Sequence, residues 1–369
     1  MNWVYEQPVK IKFGTGIRKN IYEQIEEKHG LLITSKSFVK SGLAKQIEEY
    51  ANGKITAIFS EVTPNPDVKE CLACLELTKE QTFDFVVALG GGSVIDLAKV
   101  ISVLAVNDVA IEDILLKKVN IPDKHLPLYV LPTTSGTGSE VTCVAVISDH
   151  EKGCKVPLRA KSFYPKTAII DPELTYSVPE RMSACTGFDV LCHAIEGYMS
   201  KNHQPICDAL AVYALQLVFQ YLPRVVENGN DYVAREKMAE ASVIAGLAFT
   251  QPQTTSSHAC SYPLTNMYGI PHGEACALTI DYFLEFNHAH GCTRVLELAK
   301  LMRFETVDEM VEHIKNLKET VGLLCDLKSF DINERQLHQL VKDSMSTALE
   351  NNPVKITATD LEVMYKSFL

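Results

Sequence analysis

The chain has no excess of positive charge. Lys and Arg number 35 against 46 Asp and Glu in 369 residues, a formal net charge of −11. That balance disfavours a protein that holds nucleic acid through its overall field. No uninterrupted apolar run approaches the roughly 18 residues of a membrane span, so no membrane partner is expected. The opening residues, MNWVYEQPVKIKFGTG, show no basic head followed by an apolar stretch, and no secretory signal is expected there. Internal repeats, low-complexity tracts and flexible linkers are absent. The cysteines have no pairing pattern: eleven, an odd number, are scattered along the chain. A reducing, cytoplasmic setting follows, with most thiols acting as small buried apolar groups. One CxxC, Cys71 and Cys74 in VKECLACLEL, lacks a second pair and lies in a helical pattern. It reads as two cysteines one turn apart rather than as a redox or zinc site.

What is present is a globular composition, 46% hydrophobic and 22% charged, at a length that favours two domains. The first half alternates β-branched runs (31–34, 56–59, 85–89, 129–131, 168–170) with amphipathic stretches (38–51, 68–79, 94–106). This alternation predicts crossover connections and a mostly parallel sheet. After about residue 179 strands become scarce. Helical stretches follow at 189–199, 206–226, 233–249, 274–287, 307–321 and 334–348. The expected architecture is α/β plus all-α, with a parallel-sheet domain at 1–178 and a helical domain at 179–369. Without a linker the two are expected to pack directly, with a ligand site in the cleft.

Three constellations carry chemistry. The run FVVAL enters Gly90-Gly91-Gly92-Ser93 and a helix follows, a geometry that offers backbone N–H groups to a phosphate. Ile95 holds the third glycine position, so the G-x-G-x-x-G pattern is missing; a glycine-rich helix entry is the alternative. The next strand leads into PTTSGTGSE, a loop of hydroxyls where open α/β sheets bind ligands. Asp189 and His193 are spaced i, i+4 and share a helix face. His258 and His272 follow, 14 residues apart. Three imidazoles and a carboxylate suit Fe or Zn. Against this, Thr186-x-x-Asp189 also reads as a capping box at a helix start, His193 as a satisfied helix residue, and His258 and His272 as turn residues beside Pro263 and Pro271. His29, His125, His150, His203 and His288 read as surface residues.

In order, GGGSVIDLAK, LPTTSGTGSEVT, IIDPELT, TGFDVLCHAIEGY, AGLAF and GIPHGEACAL resemble the iron-containing (group III) alcohol dehydrogenase family, over about residues 13–281. The resemblance implies a Rossmann-like N-terminal domain, a helical C-terminal domain of the dehydroquinate synthase-like fold, NAD(P)H and one divalent metal, Fe²⁺ or Zn²⁺. It implies Asp189, His193, His258 and His272 as metal ligands. It implies a pyrophosphate turn at Gly91, Gly92 and Ser93 with Asp96 on the following helix, a cofactor loop with Thr133, Thr134, Thr137 and Thr142, and Asn65 and Lys155 near the cofactor. A homodimer is expected on the same ground. Two positions depart from the family pattern. Tyr262 stands where a second histidine is usual, and is a candidate proton donor or relay to water, with an aromatic wall of the pocket as the alternative. Ser35 stands where an aspartate often excludes NADP, and Lys36 beside it would pair with a 2′-phosphate, so NADPH is expected to be accepted at least as well as NADH; a solvated surface lysine is the alternative for Lys36.

The segment TTSSHACSYPLTNMYGIPHGEACALT is similar to that of phosphonoacetaldehyde reductases. The expected reaction is interconversion of a small aldehyde and its primary alcohol, with phosphonoacetaldehyde leading and Arg159, with Lys161, gripping the anion. Sulfoacetaldehyde and simple aldehydes are the alternatives. A sugar-phosphate lyase would need a basic cluster that the helical half lacks, and a non-catalytic nucleotide-binding regulator would not need four intact ligand positions.

Overall fold

Every residue of the strand Phe85–Gly90 is buried. Its side chains part by parity: Phe85, Val87 and Leu89 join one apolar cluster and Val86 and Ala88 another. A strand of this kind needs cover on both faces. The computed structural model describes residues 2–149 and 154–369, apart from the side chain of residue 154. The strands are β1 (Lys10–Phe13), β2 (Gly30–Ile33), β3 (Ile55–Phe59), β4 (Phe85–Gly90), β5 (Leu128–Pro132), β6 (Val144–Asp149), β7 (Cys154–Arg159) and β8 (Thr167–Ile170). Six form one sheet in the order β1-β8-β5-β4-β2-β3, every pair parallel. From β2 the chain moves outward to β3, then returns to β4 and leaves the other way through β5. The order reverses between β2 and β4, which is where open sheets bind ligands, at the carboxyl ends.

The helices of this half are α1 (Ile21–Gln24), α2 (Lys36–Lys40), α3 (Leu43–Tyr50), α4 (Val68–Glu80), α5 (Gly92–Leu104) and α6 (Ile111–Leu115). The single helix expected over 38–51 is two, because Gly42 sits at φ 82°, a left-handed turn that ends α2 and opens α3. Cys71 and Cys74 are buried on α4, and burial pushes both thiols up. β1 and the antiparallel pair β6–β7 were not expected from the sequence.

In the other half stand α7 (Glu180–Met199), α8 (Pro205–Glu227), α9 (Tyr232–Phe249), α10 (Ser256–Tyr268), α11 (His272–Ala289), α12 (Thr293–Leu301), α13 (Val307–Thr320), α14 (Glu334–Ser344) and α15 (Ala358–Phe368). The chain divides into two compact units, Glu6–Thr134 with Gly138–Tyr176, and Ser177–Leu369 with residues 2–5 and Ser135–Thr137. By length and a mean hydropathy of 1.4, α8 could cross a membrane. Here its Ala211, Ala214, Leu215, Val218 and Leu222 are core, packed with α7 and α9. The alternative reading of Thr186 and Asp189 as a capping box is excluded. Both lie inside α7, and Thr186 Oγ1 donates to Met182 O at 2.9 Å.

A buried network ties the loop after β5 to α5. Lys99 Nζ donates to Ser139 Oγ (2.8 Å), Thr142 Oγ1 (3.1 Å) and Val144 O (2.7 Å). Asp96 accepts from Ser139 Oγ (2.6 Å) and the Val146 N–H (2.9 Å). Burial pushes the neighbouring Glu140 carboxyl up to about 7 from 4.5. A raised folded-state value means that protonation favours the fold. This contribution is complete below the unfolded value and is lost as pH rises through about 7. At about 1.36 kcal/mol per unit the loss is on the order of 3 kcal/mol. Urea denaturation between pH 5 and 7.5 should show this decline in the wild type and a flatter profile in Glu140→Gln; equal slopes would refute it.

Candidate metal centre and cofactor loops

α7 carries Asp189 and His193 on one face, the first turn of α10 carries His258, and His272 opens α11. The residue after His272 decides how close α11 comes to α7. A β-carbon on Gly273 would stand 2.1 Å from the Cys185 carbonyl oxygen and 3.0 Å from Asp189 Cβ. The alternative reading of His258 and His272 as turn residues is excluded, since both lie in helices. Pro263 lies within α10 at the cost of one backbone bond, and burial of Ala259, Cys260 and Leu264 outweighs it.

Asp189 Oδ1 is the hub of the cluster. It lies 3.6 Å from His258 Nε2, 3.8 Å from His272 Nε2 and 3.9 Å from His193 Nδ1. Asp189 Oδ1, His258 Nε2 and His193 Nδ1 are buried without a hydrogen-bond partner among the described residues. Each such group costs roughly 1–3 kcal/mol, a cost that a bound cation would remove. Burial pushes the Asp189 carboxyl up, but the three imidazoles outweigh it and hold it below the ordinary carboxylate range. Burial brings His193 down to about 4 against the pull of Asp189, so its ring is neutral and able to ligate. That ring stacks on Phe249 at 4.1 Å.

The outward nitrogens of the other two rings are fixed by partners on the far side. His258 Nδ1 donates to Glu196 Oε2 at 2.5 Å. Glu196 also accepts the backbone N–H groups of Ser257 (2.6 Å) and Thr255 (3.0 Å). Ser261 Oγ donates to His258 O at 2.8 Å, so His272 Nδ1, 3.1 Å away, donates to Ser261. Both arrangements leave Nε2 facing Asp189, as second-sphere partners do at metal sites. One further group enters: the ligand atoms of Asp189, His258, His272 and Cys276 all lie within 4.8 Å of one another.

In the sheet unit Gly91 caps α5, and the N–H groups of Gly92 and Ser93 open the helix. Thr133 N–H donates to Gly90 O at 3.1 Å, joining the ends of β4 and β5. Asn65, at φ 60°, donates its N–H to Ser93 Oγ at 3.1 Å, and Lys155 Nζ donates to Asn65 Oδ1 at 3.0 Å. Asn65, Ser93 and Lys155 are thus brought together. Thr142 lies in the Lys99 network and Asp96 holds Ser139; Thr137 groups with the helical unit. Ser35 Oγ meets Ser37 Oγ at 2.8 Å, and Lys36 Nζ pairs with Glu61 at 2.5 Å on the surface.

Residues 8–172 match the family described as iron-containing alcohol dehydrogenase, and residues 183–369 match the C-terminal part of the Fe-containing alcohol dehydrogenase family. The chain belongs to the iron-containing alcohol dehydrogenase family. It is similar to the sulfoacetaldehyde reductase of Bifidobacterium kashiwanohense, solved with NAD⁺, at 48% identity and a TM-score of 0.96, covering 100% of this chain and 99% of that one. It is 34% identical to long-chain-alcohol dehydrogenase 1 of Geobacillus thermodenitrificans, over 94% of this chain and 90% of the relative. It is 35% identical to a 1-propanol dehydrogenase of Citrobacter freundii, over 95% of each. This iron-type dehydrogenase is an NAD(P)-linked, metal-dependent oxidoreductase of small alcohols and aldehydes.

Tyr262, half-buried on α10, lies nearly parallel to His272 with ring centroids 5.8 Å apart. Burial pushes its phenol up to about 12 against the effect of His258, so it keeps its proton at neutral pH. Arg159 is not in a loop, as its charged neighbourhood would suggest, but on β7, exposed, opposite Val144. Lys161 pairs with Glu6 at 2.7 Å on the surface. His29, His125 and His288 are exposed and His203 is half-buried, 3.1 Å from Asp208; His150 lies outside the described residues. Sequence reasoning missed Glu196, although Asp189, His193 and Glu196 follow the i, i+4, i+7 spacing of one helix face. It missed Cys276, which is i+4 from His272.

Proposed function

We propose that the protein reduces a small anionic aldehyde to its primary alcohol with NADH, with sulfoacetaldehyde as the leading substrate and phosphonoacetaldehyde next. The observation that carries this reading is the 48% identity, over the whole chain, to a sulfoacetaldehyde reductase. The NAD⁺ bound by that relative and the Glu61 carboxylate beside Lys36 support NADH over NADPH. We assign the dinucleotide to residues 1–178 and the metal to 179–369, and place the protein in the cytoplasm as a homodimer. The free cysteines support the reducing compartment; the dimer rests on the family resemblance.

Asp189, His193, His258 and His272 would hold the ion. The buried, unpartnered Asp189 Oδ1, His193 Nδ1 and His258 Nε2 fit a divalent metal, which when bound supplies Lewis-acid polarisation of the carbonyl, while NADH supplies the hydride. Aldehyde, NADH and one proton give alcohol and NAD⁺. Glu196 and Ser261 keep the His258 and His272 rings turned the right way. The N–H groups at the start of α5 would hold the pyrophosphate, with Asn65, Lys155 and the threonines Thr133, Thr134, Thr137 and Thr142 around the cofactor. Tyr262 holds a proton on Oη for the developing alcohol oxygen. Arg159 we assign to the anionic end of the substrate. On β7, Lys155 and Arg159 share one face while Val156 and Leu158 pack into the core.

The test compares kcat/KM for sulfoacetaldehyde, phosphonoacetaldehyde and propanal in the wild type and in Arg159→Ala. A guanidinium that grips the anion contributes about 1.5–3 kcal/mol, so the variant should lose roughly 10–100-fold on the two anionic substrates alone. Equal losses on all three would remove Arg159 from the site. A wild type that prefers propanal would return the protein to a general alcohol dehydrogenase.

A further inference from the structure

α11 repeats on its own face the arrangement that α7 makes with Asp189 and His193. His272 and Cys276 are four residues apart and point the same way. Cys276 is fully buried, with Sγ 4.0 Å from His272 Nε2. The donor atoms of Asp189, His258, His272 and Cys276 are mutually within 4.8 Å. Metal–nitrogen bonds of about 2.1 Å and metal–sulfur bonds of about 2.3 Å put tetrahedral neighbours about 3.4–3.6 Å apart. The separations around Asp189 and His272, 3.6–4.0 Å, are only a few tenths wider. Independently of the cysteine, Asp189 Oδ1 and His258 Nε2 are buried and unpartnered at the same point. Their side chains are 4% and 3% exposed.

We propose that Cys276 is a further donor to the metal ion, ligating through its thiolate. The proposal rests on the metal centre assigned above and adds one ligand to it. As the sulfur–metal bond forms, the S–H proton leaves to solvent. With Asp189 the thiolate brings two negative charges to a dication, so the centre is neutralised by the protein's own ligands. A soft sulfur donor biases the site toward zinc and cobalt and away from magnesium or manganese. Counted with Asp189, His193, His258 and His272 the thiolate is a fifth protein donor, so a substrate oxygen enters either as a sixth donor, in octahedral geometry, or by displacing one of the five.

The experiment loads metal-free protein anaerobically with Co²⁺ and records its absorption, with cobalt content measured on the same sample. Wild type should bind one cobalt and show a sulfur-to-cobalt charge-transfer band in the near ultraviolet. Cys276→Ser and Cys276→Ala, checked for folding by circular dichroism, should keep the visible ligand-field bands and lose the charge-transfer band. A wild type that binds one cobalt without that band refutes the sulfur ligand while leaving the metal centre standing. A band that persists in both variants assigns the sulfur to another cysteine and refutes it equally. A wild type that binds no cobalt or zinc overturns this inference together with the metal-centre assignment on which it rests.

Discussion

Asp189→Asn should give a folded protein that neither holds its metal nor turns over. Asparagine keeps the shape of the side chain, so the packing of α7, buried along most of its length, is preserved. It removes the charge on the oxygen that lies 3.6–3.9 Å from three imidazoles. A neutral amide is a weak ligand for a dication, and its NH₂ group, if turned inward, faces other donors. The affinity loss should exceed the roughly 10–100-fold that removal of an outer-sphere partner costs. Carbonyl polarisation contributes several kcal/mol, and about 1.36 kcal/mol is tenfold in rate. Aldehyde reduction should therefore fall by about a thousandfold or more. Metal content after gel filtration, read beside NADH oxidation, checks both. A variant with one metal per chain and wild-type turnover would remove Asp189 from the centre.

Much of the site was legible because its pieces follow local periodicity. Asp189 and His193 are one helical turn apart, and β4 into Gly90–Ser93 is a short-range pattern; both are where the spacing put them. The parallel sheet was legible from five short apolar runs. What was not legible depended on tertiary contact. Lys10–Phe13 pairs only with β8, more than 150 residues away, and its half-polar pattern carries no local strand signal. The β6–β7 pair was hidden because the lysine and arginine on β7 suggest a loop until the partner strand is known. α10 was missed because Pro263 argues against a helix, while the burial that overrides it is invisible in one dimension. α7 starts at Glu180 rather than Asp189: Ser183–Gly187 are small and weakly apolar and give no amphipathic stripe, yet Cys185 packs against Gly273 of α11 and Gly187 against Leu222 of α8. Cys276 and Glu196 sat at readable spacings from His272 and His193, yet only the fold shows that both spacings converge on the same group.

Glu196→Gln should weaken metal binding without touching a metal ligand. The Glu196 side chain is almost wholly buried on α7, and both of its oxygens are fully used. Oε1 accepts the Ser257 N–H at 2.6 Å; Oε2 accepts the Thr255 N–H at 3.0 Å and His258 Nδ1 at 2.5 Å. Burial pushes this carboxyl up, but His258 and the backbone donors outweigh it and hold it ionised. A glutamine fills the same volume but replaces one acceptor with an NH₂ group that must face an N–H donor. With the NH₂ group toward His258, the imidazole relaxes by moving its proton to Nε2, the atom that faces Asp189, and its lone pair is then lost to the metal. With the NH₂ group toward Ser257, a buried backbone donor is left unpaired. Breaking a buried charged interaction from one side costs about 3–5 kcal/mol, so stability in urea should drop by that order. Loss of the orienting partner should lower Zn²⁺ affinity roughly 10–100-fold. Calorimetric titration of metal-free protein with Zn²⁺ separates the two effects. If stability falls while Zn²⁺ affinity is unchanged, Glu196 only caps the start of α10. If both fall, it is the positioning residue that turns His258 toward the metal.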